Sequence, residues 1–125
     1  MSSRQAVEAL AERIREAGAR GEVLCIRGGG TKDFYGEAPA GEVLDVRSLV
    51  GDADHEPTEL VVTAAAGMAL ADLEDQLAAH GQCLAFEPPR FTVGGTVGGM
   101  VAAGLSGPAR PRAGSLRDHV LGLAL

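Results

Sequence analysis

Two stretches of this chain have residue types and spacing suited to binding an anion. The first is RGGGTK, Arg27 to Lys32, which directly follows the apolar run ending at Ile26. Successive glycines let consecutive backbone amides turn toward one point and form an anion nest. No side chain at Gly28, Gly29 or Gly30 bars a phosphate from that backbone, and Thr31 adds a hydroxyl donor. Arg27 and Lys32 can supply positive charge. A plain tight turn is the alternative, although one or two glycines suffice for that. The second stretch is TVGGTVGG, Thr92 to Gly99, a tandem unit rich in glycine. In its second copy, Gly98 and Gly99 precede MVAAGL, so their amides are expected near the start of a short helix capped by Thr96. Backbone donors and the helix dipole favour an anion at such a place. The alternative is a flexible loop with close packing through Ala102, Ala103 and Gly104. Two such loops, far apart in sequence, suggest a diphosphate held from both sides.

The standard nucleotide devices are absent from these stretches. G-x-G-x-x-G requires glycine five positions after Gly28, where Asp33 stands. G-x-x-x-x-G-K-[ST] is met nowhere, since Met100 follows Gly99. A nucleotide bound here is therefore held neither by the Rossmann nor by the P-loop arrangement.

The loops need elements to position them. Val7, Leu10, Ile14 and Ala17 follow helical spacing, with a capping box expected from Ser2 and Gln5 and a stop at Gly18. Strands are expected at Glu22 to Ile26, Glu42 to Val46 and Glu59 to Ala66. Leu70, Leu73 and Leu77 mark a second amphipathic helix that ends near Gly81. A strand at Cys83 to Phe86, a small-residue helix after Gly99 and a strand at His119 to Leu125 complete the reading. This order implies a mixed α+β domain.

The 125 residues fit one domain or a piece of a larger one, and the chain stops inside an apolar run, which suggests a fragment. A formal charge of −6 disfavours a nonspecific nucleic-acid binder. Cys25 and Cys83 form no CxxC pair and are expected to be buried free thiols. No apolar stretch approaches the roughly 20 residues of a membrane span, so a cytoplasmic protein is expected.

The ordered set RGGGT at Arg27 to Thr31, TVGGMVA at Thr96 to Ala102, Ser106–Gly107 and GSLRDHVLG at Gly114 to Gly122 resembles the PCMH-type FAD-binding domain of the vanillyl-alcohol oxidase/p-cresol methylhydroxylase superfamily. DHEPTELVVTAAAGMALADLEDQL and EPP followed by GGMVAAGLSGPARP look most like its glycolate oxidase branch. The resemblance implies the N-terminal part of that domain over residues 1–125: a small α/β subdomain and the start of a second α+β subdomain, without the substrate domain. It implies that Arg27, Gly28, Gly29, Gly30, Thr31 and Lys32 wrap the FAD pyrophosphate, and that Thr96, Gly98, Gly99 and Met100 line its second side. Ser106, Gly114, Ser115 and Asp118 would continue that wall, and Pro88 and Pro89 would shape the approach. The repeat leaves Gly94 and Gly95 as second-rank candidates.

Two departures from the family pattern carry meaning. Some members attach FAD covalently through a histidine at the end of the first loop; here that position is Thr31, which implies a noncovalent flavin. Many have an aromatic residue before the Gly–Ser pair, where this chain has Ala113. The implied activity is oxidation of a 2-hydroxy acid to a 2-oxo acid, with glycolate first, and D-lactate or another 2-hydroxy acid as the alternative. A noncatalytic flavin-binding or assembly module is a third reading. Implied partners are a small 2-hydroxy-acid substrate and other glycolate oxidase subunits, with peripheral contact at the inner membrane face left open. No catalytic base is identified. His55 reads as a solvated surface residue, His80 as a partner of a helix end and His119 as a packing residue. Arg110, Arg112 and Arg117 read equally as phosphate partners or as an ordinary charged loop.

Overall fold

The computed structural model describes residues 2–125. Its first element, α1 (Ser3–Arg20), begins at the expected capping box: the Ser2 hydroxyl accepts the Gln5 amide at 3.2 Å, and the Gln5 side chain accepts the Ser2 amide at 2.8 Å. Gly18 does not stop this helix. It stays helical, and the helix ends at Gly21, whose φ of 66° lets its amide reach back to the carbonyls of Ala17 and Gly18. Ala6 and Ala17 are buried. Arg13 joins α1 to the segment that follows it through Glu22, at 3.0 Å, and to a later strand through Glu42.

Strand β1 (Leu24–Arg27) pairs in parallel with β2 (Glu42–Asp45), with Leu24 opposite Glu42 and Arg27 opposite Asp45. Parallel strands cannot be joined by a tight hairpin, so the chain must travel a long way between them. The first glycine loop opens that journey, at the carboxyl end of β1, where ligand loops of α/β units are placed.

The expected strand at Glu59 to Ala66 is shorter and has a partner that the sequence did not disclose. Strands β3 (Asp54–Glu56) and β4 (Val61–Thr63) form an antiparallel hairpin, with His55 opposite Val62. Glu59 and Leu60 belong to the turn: the Glu59 amide donates to the Glu56 carbonyl, and Leu60 has a φ of 56°. Helix α2 (Leu70–Ala78) then buries Leu70, Leu73 and Leu77, as their spacing predicts.

After an irregular passage comes α3 (Val97–Ala103), capped by Thr96 and closed by Gly104 with a φ of 64°. A single turn, α4 (Arg110–Ala113), and a 3-10 turn over Leu116–Asp118 follow. Leu70, Phe86, Met100 and Leu116 form a small core, with Leu84, Val97, Val101 and Val120 packed against it. The strands expected at Cys83 to Phe86 and His119 to Leu125 do not form; among the described residues no strand follows β4. A strand needs a neighbour for its backbone groups. Here Phe86 is spent as a core plug instead, while Leu121 and Leu123 remain exposed. Both cysteines are free, but Cys83 is exposed and Cys25 only half-buried, which corrects the expectation of two buried thiols. The α+β class stands.

Candidate functional site

The two glycine loops meet. Residues of the first loop from Arg27 to Asp33, with Ile26 and Tyr35, face Thr96, Gly99, Ala102 and Ala103 across a cleft of about 290 Å³. The approach is close enough to explain the run of glycines. A Cβ at Gly28 would lie 2.6 Å from the Thr96 hydroxyl oxygen, and one at Gly29 would overlap the Gly94 carbonyl. Gly30 has a φ of 70°, a region that side chains disfavour, and the Arg27 guanidinium folds over it.

Arg27 is committed within its own loop. Its guanidinium donates to both carboxylate oxygens of Asp33, at distances from 2.5 to 3.3 Å. This hydrogen bonding holds the Asp33 carboxyl below the usual carboxylate range and raises the pKa of Arg27 further. The pair braces the loop from one side to the other, so the first cation expected to meet a phosphate is already neutralised. Lys32, by contrast, forms no ion pair among the described residues and lines the cleft. The amides of residues 28–32 form no hydrogen bond among the described residues, and the Thr31 hydroxyl lies in the same wall.

The second loop contributes differently from what its sequence suggests. The Val97 amide donates to Met68 at 2.9 Å and the Gly98 amide to Ala66 at 2.8 Å. The Gly99 amide donates to the Thr96 hydroxyl at 3.1 Å, and the Met100 amide to the Thr96 carbonyl at 2.9 Å. Every donor of the first turn of α3 is thus consumed internally. The expectation that the Gly98 and Gly99 amides face an anion is corrected, because the cap and the neighbouring Gly67 segment reach them first. Gly98 works as a packing residue: a Cβ there would press within 2.9 Å of the Ala66 carbonyl. Gly99 and Thr96 still line the cleft.

The tandem repeat has divided labour. In the first copy, the Gly94 carbonyl abuts Gly29, and the Gly95 carbonyl accepts the Leu70 amide at 2.9 Å. In the second, Thr96 pairs with Ala69 in an isolated β-bridge and then starts α3. Gly94 and Gly95 therefore lock the first loop and α2 to the second loop.

Several expected wall residues lie elsewhere. The Met100 side chain is in the core, 5% exposed, because position 100 falls on the face of α3 that meets Leu70 and Phe86. Ser106 is also buried: its hydroxyl donates to the Gly104 carbonyl at 3.2 Å and accepts the Leu116 amide at 2.9 Å. Ser115 and Asp118 cap one another, the Asp118 carboxylate accepting both the Ser115 hydroxyl and amide at 2.8 Å. Those bonds lower the Asp118 pKa. Gly114, with a φ of 87°, packs over the same carboxylate. Pro88 and Pro89 are half-buried and line neither cavity. Ser115 instead faces a second cavity of about 450 Å³, together with Arg110, Arg117 and an apolar wall that includes Val101 and Leu123.

The histidines also divide. His55 is not a solvated residue. Its Nε2 bonds to the Gln82 side chain at 2.9 Å, and its ring meets that of His80 edge-on with centroids 4.8 Å apart. His80 reaches the Gln76 carbonyl through Nδ1 at 3.2 Å, in the last turn of α2. His119 packs against Phe86 and bonds the Ala113 carbonyl at 2.9 Å. None of the three lines the glycine cleft. Sequence reasoning missed Tyr35 and Ile26, which line it; the signal was an aromatic residue in KDFYG, immediately after the glycine loop.

The donors suit a phosphorylated ligand: among the described residues, unpaired amides, a hydroxyl, one free cation and a partly apolar far wall. At about 290 Å³ the cleft is at the lower end of small-molecule sites, roughly 300–1,000 Å³, so it encloses only part of a dinucleotide. Among the described residues no group of three or more metal-ligating side chains could hold a metal.

The family model described as "FAD binding domain" matches residues 5–125. The chain is 45% identical over 115 residues to the glycolate oxidase subunit GlcE of Escherichia coli (strain K12), covering 92% of this chain and 33% of that protein. It therefore spans about a third of the length of the curated relative it matches. No solved structure matches it. The chain belongs to the FAD-binding domain family, and FAD is its cofactor.

Proposed function

From that family membership, we propose that this chain is the FAD-binding portion of a flavin-dependent 2-hydroxy-acid oxidoreductase of the glycolate oxidase kind, acting on glycolate. The observation that carries the binding site is the convergence of both glycine loops on one cleft. Amides of residues 28–31 hold the pyrophosphate, Lys32 balances its charge, and Thr31 adds a hydroxyl contact. Thr96 and Gly99 support the opposite wall, whose rigidity comes from amides already bonded within the protein. Met100 anchors α3, which carries Gly99, in the core, and Ser106 bonds the Gly104 and Leu116 backbone beside it; Gly114, Ser115, Asp118 and Pro88 lie outside this cleft.

Bound FAD supplies the capacity to accept a hydride equivalent from the α-carbon of the substrate. The residues of this chain bind and orient the cofactor. The cleft's one carboxylate, Asp33, is tied to Arg27 and poorly suited to act as a base. The base, and the cationic partners that a substrate carboxylate needs, then belong to a substrate domain and to partner subunits. The name of the similar protein as a subunit supports such an assembly. Thr31 at the end of the first loop offers no imidazole for attachment, so the flavin is held noncovalently. No described helix is long and apolar enough to cross a membrane, and we place the protein in the cytoplasm, resting at most on the inner membrane face.

The absence of a free base in the cleft favours a second reading, a flavin-binding module that assembles with catalytic subunits without turning over itself. Titration of FAD into the 125-residue chain, followed by flavin absorbance, tests the first claim. Denaturation should release all flavin into solution. Bleaching of that absorbance by glycolate, after reconstitution with partner subunits, would support the oxidoreductase; bleaching by D-lactate alone would move the substrate. Retained flavin that no 2-hydroxy acid bleaches in the assembly would favour the module.

A further inference from the structure

We propose that Tyr35 is the stacking face for the adenine ring of the bound dinucleotide, an assignment that rests on the cofactor site proposed above. Chain geometry keeps this residue next to the cradle. The Asp33 amide donates to the Gly30 carbonyl and the Tyr35 amide to the Lys32 carbonyl, so two tight turns carry the chain from the cradle to Tyr35. Each turn returns the backbone to within about 7 Å of its start. A single ribose separates adenine from its diphosphate, which matches a short reach better than the longer ribityl chain on the flavin side.

The neighbours of Tyr35 are held, which leaves its ring to the cleft. Asp33 is clasped by Arg27. Phe34 packs edge-on against Phe91, with centroids 4.9 Å apart, on another side of the loop. Among the described residues Tyr35 has no aromatic partner; it lines the cleft and is 58% exposed. A large ring left this open next to Lys32 and the bare amides forms a platform on which a flat heterocycle loses water. Ile26, on the same wall and 74% exposed, extends the apolar surface.

The chain contains one tyrosine and no tryptophan, so its intrinsic fluorescence reports on Tyr35 alone. ADP, FMN and FAD are titrated separately into the 125-residue chain, with tyrosine emission and flavin signal both recorded. ADP should quench the emission and displace FAD, and any binding of FMN should not depend on the Tyr35 ring. Tyr35→Ala should weaken ADP by about 5- to 150-fold, the range for loss of one base–aromatic stack, while Tyr35→Phe binds close to the parent. Circular dichroism confirms that both variants are folded. If FAD binds but ADP neither quenches nor competes, or if Tyr35→Ala binds ADP like the parent, this assignment is overturned and the cofactor site stands. Displacement by FMN in place of ADP overturns it too and puts the flavin ring on Tyr35. If the parent binds no FAD, the cofactor site itself falls along with it.

Discussion

Gly29 and Gly94 come so close that a methyl group on the first would overlap the carbonyl oxygen of the second. Neither partner can yield cheaply, because the obstruction is backbone and the Gly95 carbonyl next to it is already bonded to Leu70. Gly99 is different: a Cβ there would meet only the Thr96 hydroxyl, at 3.1 Å. Gly29→Ala should therefore force the loops apart, at a cost of about 1–3 kcal/mol, and abolish FAD retention through gel filtration. Gly99→Ala should retain the flavin. Equal retention by both variants would refute the contact as the reason for the glycine.

Ser106 separates a structural role from a cofactor role. Its hydroxyl is the acceptor for the buried Leu116 amide. Ser106→Ala strands that donor and should destabilise the fold by about 1–3 kcal/mol in urea unfolding. The affinity of the folded variant for FAD should stay near that of the parent. A selective loss of affinity without loss of stability would return Ser106 to the cofactor wall.

Lys32 and Arg27 should behave unlike each other although both flank the glycines. Lys32→Gln removes the unpaired cation and should weaken FAD by roughly fivefold, about 1 kcal/mol, with a flatter dependence on salt. Arg27→Gln instead opens the clasp on Asp33, leaving an unbalanced carboxylate beside the cradle. Its loss should be the larger, and Arg27→Gln with Asp33→Asn should recover part of it. Isothermal titration at two salt concentrations decides the matter.

Asp45 sets part of the acid response. Hydrogen bonds from the Arg47 side chain and backbone lower its pKa to about 2. Because the folded value is depressed below the unfolded value of about 3.9, its contribution is present above pH 4 and is lost as pH falls toward 2. Asp45→Asn should thus flatten the loss of stability over that window and leave stability at neutral pH only slightly lower. Thermal unfolding of both proteins across the range checks the slope.

Much of the fold was legible because it rests on local signals. Ser2 with Gln5, the spacing of Leu70, Leu73 and Leu77, and Thr96 before a small-residue helix each state their role within a few residues. The same locality explains the failures. Strand β3 is Asp54, His55 and Glu56, a polar run with no alternation, and it exists only because β4 pairs with it. Cys83 to Phe86 reads as a strand, but Phe86 is drawn into the core by Leu70, Met100 and Leu116. At the site, the sequence singled out both glycine loops but not which amides would already be bonded. Gly98 looks like an anion donor until the Ala66 carbonyl is found 2.8 Å away. Tyr35 escaped because an aromatic residue outside any periodic element has no spacing rule; only the two turns after Gly30 bring it to the cleft.

Each copy of the tandem TVGG has its own obligations, so the two units are not interchangeable. Deletion of one four-residue unit would leave TVGG followed by MVAAGL. An alignment of that product would show every helix-start residue intact. It would nevertheless lack either the Gly94 carbonyl that packs against Gly29 or the Gly95 carbonyl that accepts the Leu70 amide, and the one surviving unit would be pulled in two directions.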